Sequence, residues 1–434
     1  MSDSIFQTSW SREQVEQMLA ADDFKYQDIE LPYGLSTGGY DRSATASAIF
    51  PDDMTGKTVL DLGSKFGYFC FEALKRGADR VLGVDVDADS IRKARLLADC
   101  MGAKAVFEQF DIENDSIDES FDYVLCLNLL HHMKNPLSLL ESLVAITGER
   151  LVLEVASLGG HDRRKVGVSP VANFFLKRSP IIFVSRNGTW GKRSVQKFFI
   201  TSAAVDNLLR FHRNIFARVD TQPSDHKDRY ITIAHKRRIK RLVIVNGPTS
   251  AGKKTCCRKL VANQLPEVAE RVGIEDGADW GPYVHANRLW RPSEPEVDKM
   301  ILHYDFMRPY LRSAKTNDRD EAMDMLEAAE HITFLTIWTP PERLRKQILE
   351  GEILPKTKFG YFYGRKRHKI IAEDYQDTAR ILEHYRTWFR FTATHKCDNR
   401  AEHVVVCLSD PVKLYTVGEW EEMVKPYETG PDRT

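Results

Sequence analysis

The sequence predicts an α/β protein built as two doubly wound parallel-sheet domains, one in each half of the chain. Three observations predict it. Apolar runs ending in an acid or an asparagine alternate with helical patterns from Thr58 to Val155 and again from Leu242 to Leu408. A glycine-spaced turn follows the leading run of each half, at Gly63 to Gly67 and at Gly247 to Gly252, and each turn opens a helical pattern. At 434 residues the chain also exceeds one ordinary core. The expected domains are 1–236, with a basic insert near 157–199, and 240–434.

Composition narrows the class. Hydrophobic content of 42% and aromatic content of 10% are globular. Lys+Arg and Asp+Glu balance at 62 each, so attraction to nucleic acid or a membrane surface has to be local. The seven cysteines are odd in number, sit mostly in apolar runs and include no zinc-like Cys-x-x-Cys pair. Reduced core thiols in a cytoplasmic protein are expected. Met1-Ser2-Asp3-Ser4 has no basic start and no apolar core, so no signal peptide is expected. No apolar stretch reaches about 20 residues, so no membrane span is expected.

In the first half, Thr58 to Leu62 contains Asp61 and leads into Gly63-Ser64-Lys65-Phe66-Gly67, then a helical pattern with Phe69, Phe71, Ala73 and Leu74. A strand feeding a tight turn into a helix places a nucleotide-like ligand at the sheet's C-terminal edge. Arg80 to Val84 ends at Asp85, whose carboxylate suits a ribose diol, accepting from both hydroxyls. Asp111 and Ile112 follow Ala105 to Phe110, and Phe121 to His132 contains Asn128, His131 and His132.

These four pieces in order resemble the class I S-adenosylmethionine-dependent methyltransferases, a Rossmann-like family, over about residues 30–236. The resemblance implies that Gly63 and Gly67 let the backbone approach the cofactor and that Asp61 belongs to the same loop. It implies that Asp85 holds the ribose, that Asp111 and Ile112 border the adenine, and that Asn128 faces the methyl group. Lys65 departs from the family, which usually has a glycine there. His131 or His132 is the candidate base for a hydroxyl or amine acceptor; packing and gating are the alternative roles.

The remaining elements follow in order. Ser11 to Gln14 reads as a capping box for a helix with Val15, Met18 and Leu19 on one face. Tyr40 and Arg42 lie in a segment that either lids the cofactor or is a surface loop. Asp89 is the expected cap of the helix carrying Ile91, Ala94, Leu97, Ala98 and Met101. Asn135-Pro136 caps the next helix, and Arg150 to Val155 is a buried strand. Ser157 to Phe199 then carries nine basic residues against one acid, interleaved with Phe174, Phe175, Phe183 and Trp190. That insert is either a solvated basic face or a site for an anionic acceptor: phosphate, phosphorylated sugar or nucleic-acid backbone. Thr201 starts a helix, Ile215 to Val219 and Tyr230 to Ala234 are closing antiparallel strands, and His235 to Arg241 reads as a basic linker.

In the second half, Leu242 to Asn246 is a buried-strand run before Gly247-Pro248-Thr249-Ser250-Ala251-Gly252-Lys253-Lys254-Thr255. Strand, Gly-x-x-x-x-Gly-Lys, helix resembles the phosphate loop of P-loop NTPases. There Gly247 to Gly252 cradle phosphates with backbone N–H groups and Lys253 bridges the terminal ones. Lys254 stands where a Ser or Thr usually reaches Mg²⁺, so Thr255 is the candidate metal ligand. Lys299 to Tyr304 is a strand ending at Asp305, the candidate acid for Mg²⁺ or for the acceptor's proton. Ile332 to Trp338 and Val404 to Leu408 are further strands, and Asp374 to Phe391 a long helix. The basic loop between them resembles small-molecule kinase lids, with Arg365 and Arg367 as phosphate clamps.

Together the halves imply a bifunctional enzyme using S-adenosylmethionine, ATP and Mg²⁺ on a saccharide or other small anionic acceptor. The order is similar to the bifunctional enzymes that end O-antigen chains with a methyl phosphate, although those carry a protein-kinase-like second domain. The first half also resembles the tRNA wobble-uridine-modifying methyltransferases, through Leu31-Pro32-Tyr33-Gly34 and the Asn135-Pro136 helix, with RNA as partner. Two other readings stand beside these: a sulfotransferase-like or regulatory second half, and a non-catalytic binder.

Overall fold

The computed structural model describes residues 6–159, 163–164, 166–190, 193–211, 215–285, 296–304, 325–350, 371–394 and 400–428. The chain divides into two compact units, Met1–Lys236 and Arg237–Thr434.

The first unit opens with α1 (Arg12–Ala21), whose capping box closes as Ser11 and Gln14 exchange side-chain and backbone bonds. Short β1 (Glu30–Leu31) and β2 (Leu35–Ser36) pair antiparallel, and α2 (Ser43–Ile49) follows. The alternating series is β3 (Thr58–Leu62), α3 (Tyr68–Lys75), β4 (Arg80–Asp85), α4 (Ala88–Met101), β5 (Val106–Gln109), β6 (Phe121–Leu127), α5 (Pro136–Ile146) and β7 (Thr147–Ala156). Then come α6 (Pro170–Leu176), the hairpin β8 (Ile182–Trp190) and β9 (Arg193–Ile200), α7 (Ser202–Phe211), β10 (Phe216–Pro223) and β11 (Arg229–Lys236).

Seven strands form one sheet in the order β10-β11-β7-β6-β3-β4-β5. β3 to β7 run parallel, and β11 is antiparallel to both β7 and β10. From β3 the chain winds outward through β4 and β5, then crosses back to β6. The strand order reverses there, so the C-terminal ends of β3 and β6 border a crevice where ligands of such sheets bind. Both faces of the sheet are covered, which is why β6 and β7 read as near-continuous apolar runs.

Some boundaries differ from expectation. α4 starts at Ala88 with Asp87 as its cap residue, and Asp89 sits in the first turn, paired with Lys93 at 3.0 Å. The boundary between the two units falls inside His235–Arg241, but the stretch is almost all strand rather than an irregular linker. His235 and Lys236 end β11, Arg238 begins the next strand, and Arg237 alone lies between. Strand alternation is hidden inside the charge run: Ile239 is fully buried while Arg238 and Lys240 point outward to Glu330 and Asp298.

The second unit contains β12 (Arg238–Asn246), α8 (Lys253–Val261), α9 (Pro266–Arg271), β13 (Val284–His285), β14 (Glu296–His303) and β15 (Ala329–Trp338). It continues with α10 (Pro341–Glu350), α11 (Thr378–Thr394), β16 (Ala401–Cys407), β17 (Lys413–Tyr415) and α12 (Val417–Glu428). Its sheet runs β13-β14-β12-β15-β16-β17, parallel except for β17. A core of Trp338, Tyr385, Trp388 and Trp420 fills one region of this unit. α11 begins at Thr378 rather than Asp374. The Asp374 carboxylate is engaged by His384 Nε2 at 2.7 Å and by Arg380 at 3.5 Å, which ties the preceding turn to the helix.

Candidate functional site

The β3–α3 turn is made of left-handed residues: Gly63 at φ +76°, Lys65 at φ +52° and Gly67 at φ +86°. Gly63 and Ser64 donate their N–H groups to Val84 O at 2.8 and 3.0 Å, tying the turn to the end of β4. A Cβ at Gly67 would lie 2.4 Å from Phe107 Cζ, so packing alone demands glycine there.

Lys65 fits the turn despite its side chain. Its N–H donates to Asp85 Oδ2 at 3.1 Å, and its Nζ bonds Ser90 Oγ at 2.7 Å and Asp87 Oδ2 at 3.2 Å. Such a left-handed residue costs on the order of 1 kcal/mol or more, which these contacts offset. Asp87 N–H donates to Asp85 Oδ1 at 2.9 Å. Each Asp85 oxygen thus has one backbone donor and a lone pair left, the requirement for holding a diol.

Asp61 lies deeper, 2% exposed, with Cys70 Sγ 3.8 Å from its Oδ2. Burial, and then the charge of Asp85, push its carboxyl up to about 7. Asp111 is half-buried and organises its own turn: Oδ1 accepts from Glu113 N–H at 3.0 Å and Oδ2 from Asn114 Nδ2 at 2.7 Å. Ile112 packs, partly buried, against the core that contains β6 and α5.

On the other side of the crevice a buried polar network forms around Glu154 near the end of β7. Glu154 is fully buried and accepts from Arg42 Nη2 at 2.8 Å, from Asn128 Nδ2 at 2.6 Å and from the Ser224 hydroxyl. Asn128, left-handed at φ +62°, also donates its N–H to Glu154 O at 3.0 Å, and its buried Oδ1 has no partner among the described residues. Arg42 lies over the Phe69 ring at 5.3 Å. The segment holding Arg42 is closed down by Tyr40, stacked on His226 at 4.5 Å. The segment is therefore packed against the unit through Arg42 and Tyr40 rather than standing free.

His131 and His132 follow Asn128 in a tight helical turn, with ring centroids 4.2 Å apart. His131 is fully buried, and among the described residues neither ring nitrogen has a hydrogen-bond partner. Burial, the neighbouring His132, and then Lys197 and Arg229 hold its pKa well below the usual imidazole range. His132 is lowered to about 4 by burial and by Lys197 and Arg229. Both are neutral at pH 7, and a pKa near 4 makes His132 a weak base. Arg229 starts β11 opposite Ala156 at the end of β7. It is half-buried, and among the described residues its guanidinium makes no ion pair and no hydrogen bond.

Sequence reading missed Glu154, Ser224, His226 and Arg229. The available signal was Glu154 itself, one acid inside the apolar run Leu151-Val152-Leu153-Glu154-Val155.

In the second unit, the loop after β12 holds Gly247 at φ +148°, Ser250 at φ +69° and Gly252 at φ +98°. A Cβ at Gly247 would lie 2.9 Å from Ile337 O. Lys253, 5% exposed, folds back so that Nζ donates to Gly247 O and Pro248 O, both at 2.8 Å. Lys254 and Thr255 are exposed in the first turn of α8. Asn246, fully buried at the strand end, has no partner among the described residues for either side-chain polar atom. Asp305, Arg365 and Arg367 lie outside the described residues. Among the described residues no cluster of three or more His, Cys, Asp or Glu is placed to hold a metal, and no helix is long and apolar enough to cross a membrane.

Comparison with known proteins bears on the first unit. A family described as a methyltransferase domain matches residues 53–161. The chain is 28% identical over 154 residues to a tRNA U34 carboxymethyltransferase of Campylobacter hominis, covering 34% of this chain and 53% of that protein. It is 30% identical over 135 residues to a ubiquinone biosynthesis O-methyltransferase of Aliivibrio fischeri, covering 25% of this chain and 57% of that one. The chain thus spans about half the length of these curated relatives. Among solved structures, the N-terminal domain of EvdMO1 with SAH and D-fucose aligns at a TM-score of 0.41 and 15% identity, over 53% of this chain and all of that one. Residues 53–161 are a class I S-adenosylmethionine-dependent methyltransferase domain.

Proposed function

We propose that the first unit transfers a methyl group from S-adenosylmethionine to a small anionic acceptor, a saccharide or a related metabolite. The observation that carries the acceptor class is Arg229: a half-buried cation that among the described residues feels the Glu154 charge but makes no ion pair or hydrogen bond, beside two neutral histidines. An anionic group bound there would complete its pairing. Asp85 would hold the ribose, the turn from Gly63 to Gly67 would carry the cofactor's amino-acid portion, and Asp111 with Ile112 would border the adenine. Bound there, S-adenosylmethionine supplies an electrophilic methyl group. Asn128, fixed by Glu154, would face that methyl group and align the acceptor, because in-line displacement depends mainly on positioning. The weak basicity of His132 favours an acceptor that is already anionic over one that must lose a proton.

The second unit we read as an ATP-binding phosphotransferase acting on the same acceptor. Lys253 holds two loop carbonyls that a phosphate would replace, and the α8 N-terminus faces the loop. Thr255 and Asp305 would carry Mg²⁺, with Arg365 and Arg367 clamping the transferred group. Incubation of purified chain with labelled S-adenosylmethionine, ATP and fractionated small metabolites tests the whole proposal. The expected product carries both a methyl and a phosphoryl group; methyl transfer with no ATP consumption for any acceptor sinks the second half of it.

A second reading is favoured by the tRNA-modifying relatives and by exposed Arg164, Lys177 and Arg178 in the insert. On that reading the acceptor is tRNA, and binding affinity would fall steeply with salt. A flat salt dependence of tRNA binding excludes it.

A further inference from the structure

The insert after β7 presents an exposed surface on α6. α6 is capped by Ser169, whose hydroxyl accepts from Ala172 N–H at 3.1 Å. Its inner side is pinned by Asn173 Nδ2, which donates to Leu158 O at 3.3 Å. A small local core forms from Ala156, Leu158 and Phe199, with Val166, Val168 and Phe183 against it. Val171, Phe174 and Phe175 take no part in that core and stand 68%, 61% and 67% exposed. Their spacing, i, i+3 and i+4, puts all three on one helix face. A concentrated apolar face in water marks a contact surface.

Its surroundings are cationic. From Arg163 to Ile200 the sequence contains no Asp or Glu. Arg164, Lys177 and Arg178 are exposed, and the Arg178 guanidinium lies over the Phe174 ring at 5.4 Å. The partner must therefore be apolar at its centre and anionic around it.

We propose that α6 is a peripheral anchor that seats the chain on an anionic phospholipid surface. Val171, Phe174 and Phe175 enter the boundary between headgroups and acyl chains, while Arg164, Lys177 and Arg178 meet headgroup phosphates. Single-stranded RNA has the same charge but fits the face less well. The Phe174 and Phe175 rings stand at 87° to each other, so they give no parallel platform for successive bases, and Val171 has no ring to stack. With only two turns of helix, attachment is reversible and depends on both the apolar and the charged contacts. The inference is independent of the acceptor, because it is read without any transfer reaction.

The test is co-sedimentation of the full chain with phosphatidylcholine vesicles, with and without phosphatidylglycerol. The expected result is binding only with the anionic lipid, weakened by salt. Phe174→Ser with Phe175→Ser should lower the partition coefficient roughly tenfold or more, since two inserted aromatic rings are lost. If that variant does not match the parent's thermal melting, Lys177→Glu with Arg178→Glu replaces it, and the preference for anionic lipid should vanish. No binding by the parent chain overturns the proposal. So does equal binding by a correctly folded variant. Loss of single-stranded RNA binding in the variant, with vesicle binding unchanged, would assign the face to RNA instead.

Discussion

Arg42 Nη2 donates to Glu154 Oε2 across 2.8 Å with both side chains buried, although the residues are 112 positions apart in the chain. The pair joins the segment before α2 to the end of β7, so it bears on stability and on site geometry together. Removing one member of a buried pair leaves an uncompensated charge, at a cost of about 3–5 kcal/mol. Asn128 and Ser224 still donate to Glu154 after Arg42→Met, so the expected loss is near the lower end. Denaturant-dependent amide exchange in β7 reads the first unit alone. Adding Glu154→Gln to Arg42→Met should recover part of the loss; strictly additive losses would refute the coupling.

Asp61 makes stability depend on pH. Its folded-state pKa, about 7, is above its ordinary 3.8, so the folded form binds the proton more tightly. Stability conferred by that proton is present below about pH 4 and is lost as pH rises toward 7. The gap corresponds to on the order of 4 kcal/mol once the proton has gone. Asp61→Asn should therefore stabilise the first unit at pH 8 relative to the parent, with a smaller gain at pH 5. The same exchange measurement at both pH values decides it, and a gain independent of pH would contradict the burial of this carboxyl.

Arg229→Ala removes a cation that depresses the histidine pair. The His132 pKa should rise from about 4, followed by the ring-proton shifts in an NMR titration. KM for an anionic acceptor should rise roughly tenfold, the value of a charge-assisted hydrogen bond, while affinity for S-adenosylmethionine holds. An unmoved His132 titration would place Arg229 away from the pair.

Lys253→Ala should abolish ATP binding, because Nζ is the group that Gly247 O and Pro248 O would yield to a phosphate. Calorimetry with ATP and Mg²⁺ measures this, with S-adenosylmethionine affinity as the internal control. ATP affinity equal to the parent's would remove the phosphate-loop reading of the second unit.

What could be read in the sequence was local. Asn135 accepts from Ser138 N–H as a helix cap, and Gly63, Gly67 and Asp85 lie within one strand-turn-helix-strand unit. The Glu154 network was not legible, since its donors Arg42 and Ser224 lie 112 and 70 positions away and only the fold brings them together. Lys65 stood out as a departure because sequence does not reveal φ. In the structure it adopts the left-handed conformation of the glycine it replaces, and its amide helps to fix Asp85. The run from His235 to Arg241 looked like a linker because its charge outweighed the single apolar Ile239 on which the strand alternation turns.

The proposed donor site rests on Asp85 at the end of β4, whose two carboxylate oxygens are each held by one backbone N–H, from Lys65 and from Asp87. Calorimetric titration of S-adenosylmethionine into the parent chain and into Asp85→Ala tests it most directly. The parent should bind, and the variant should bind roughly tenfold or more weakly, since hydrogen bonds to a charged group are lost. Equal affinity in the two proteins would contradict the assignment of this carboxylate to the ribose.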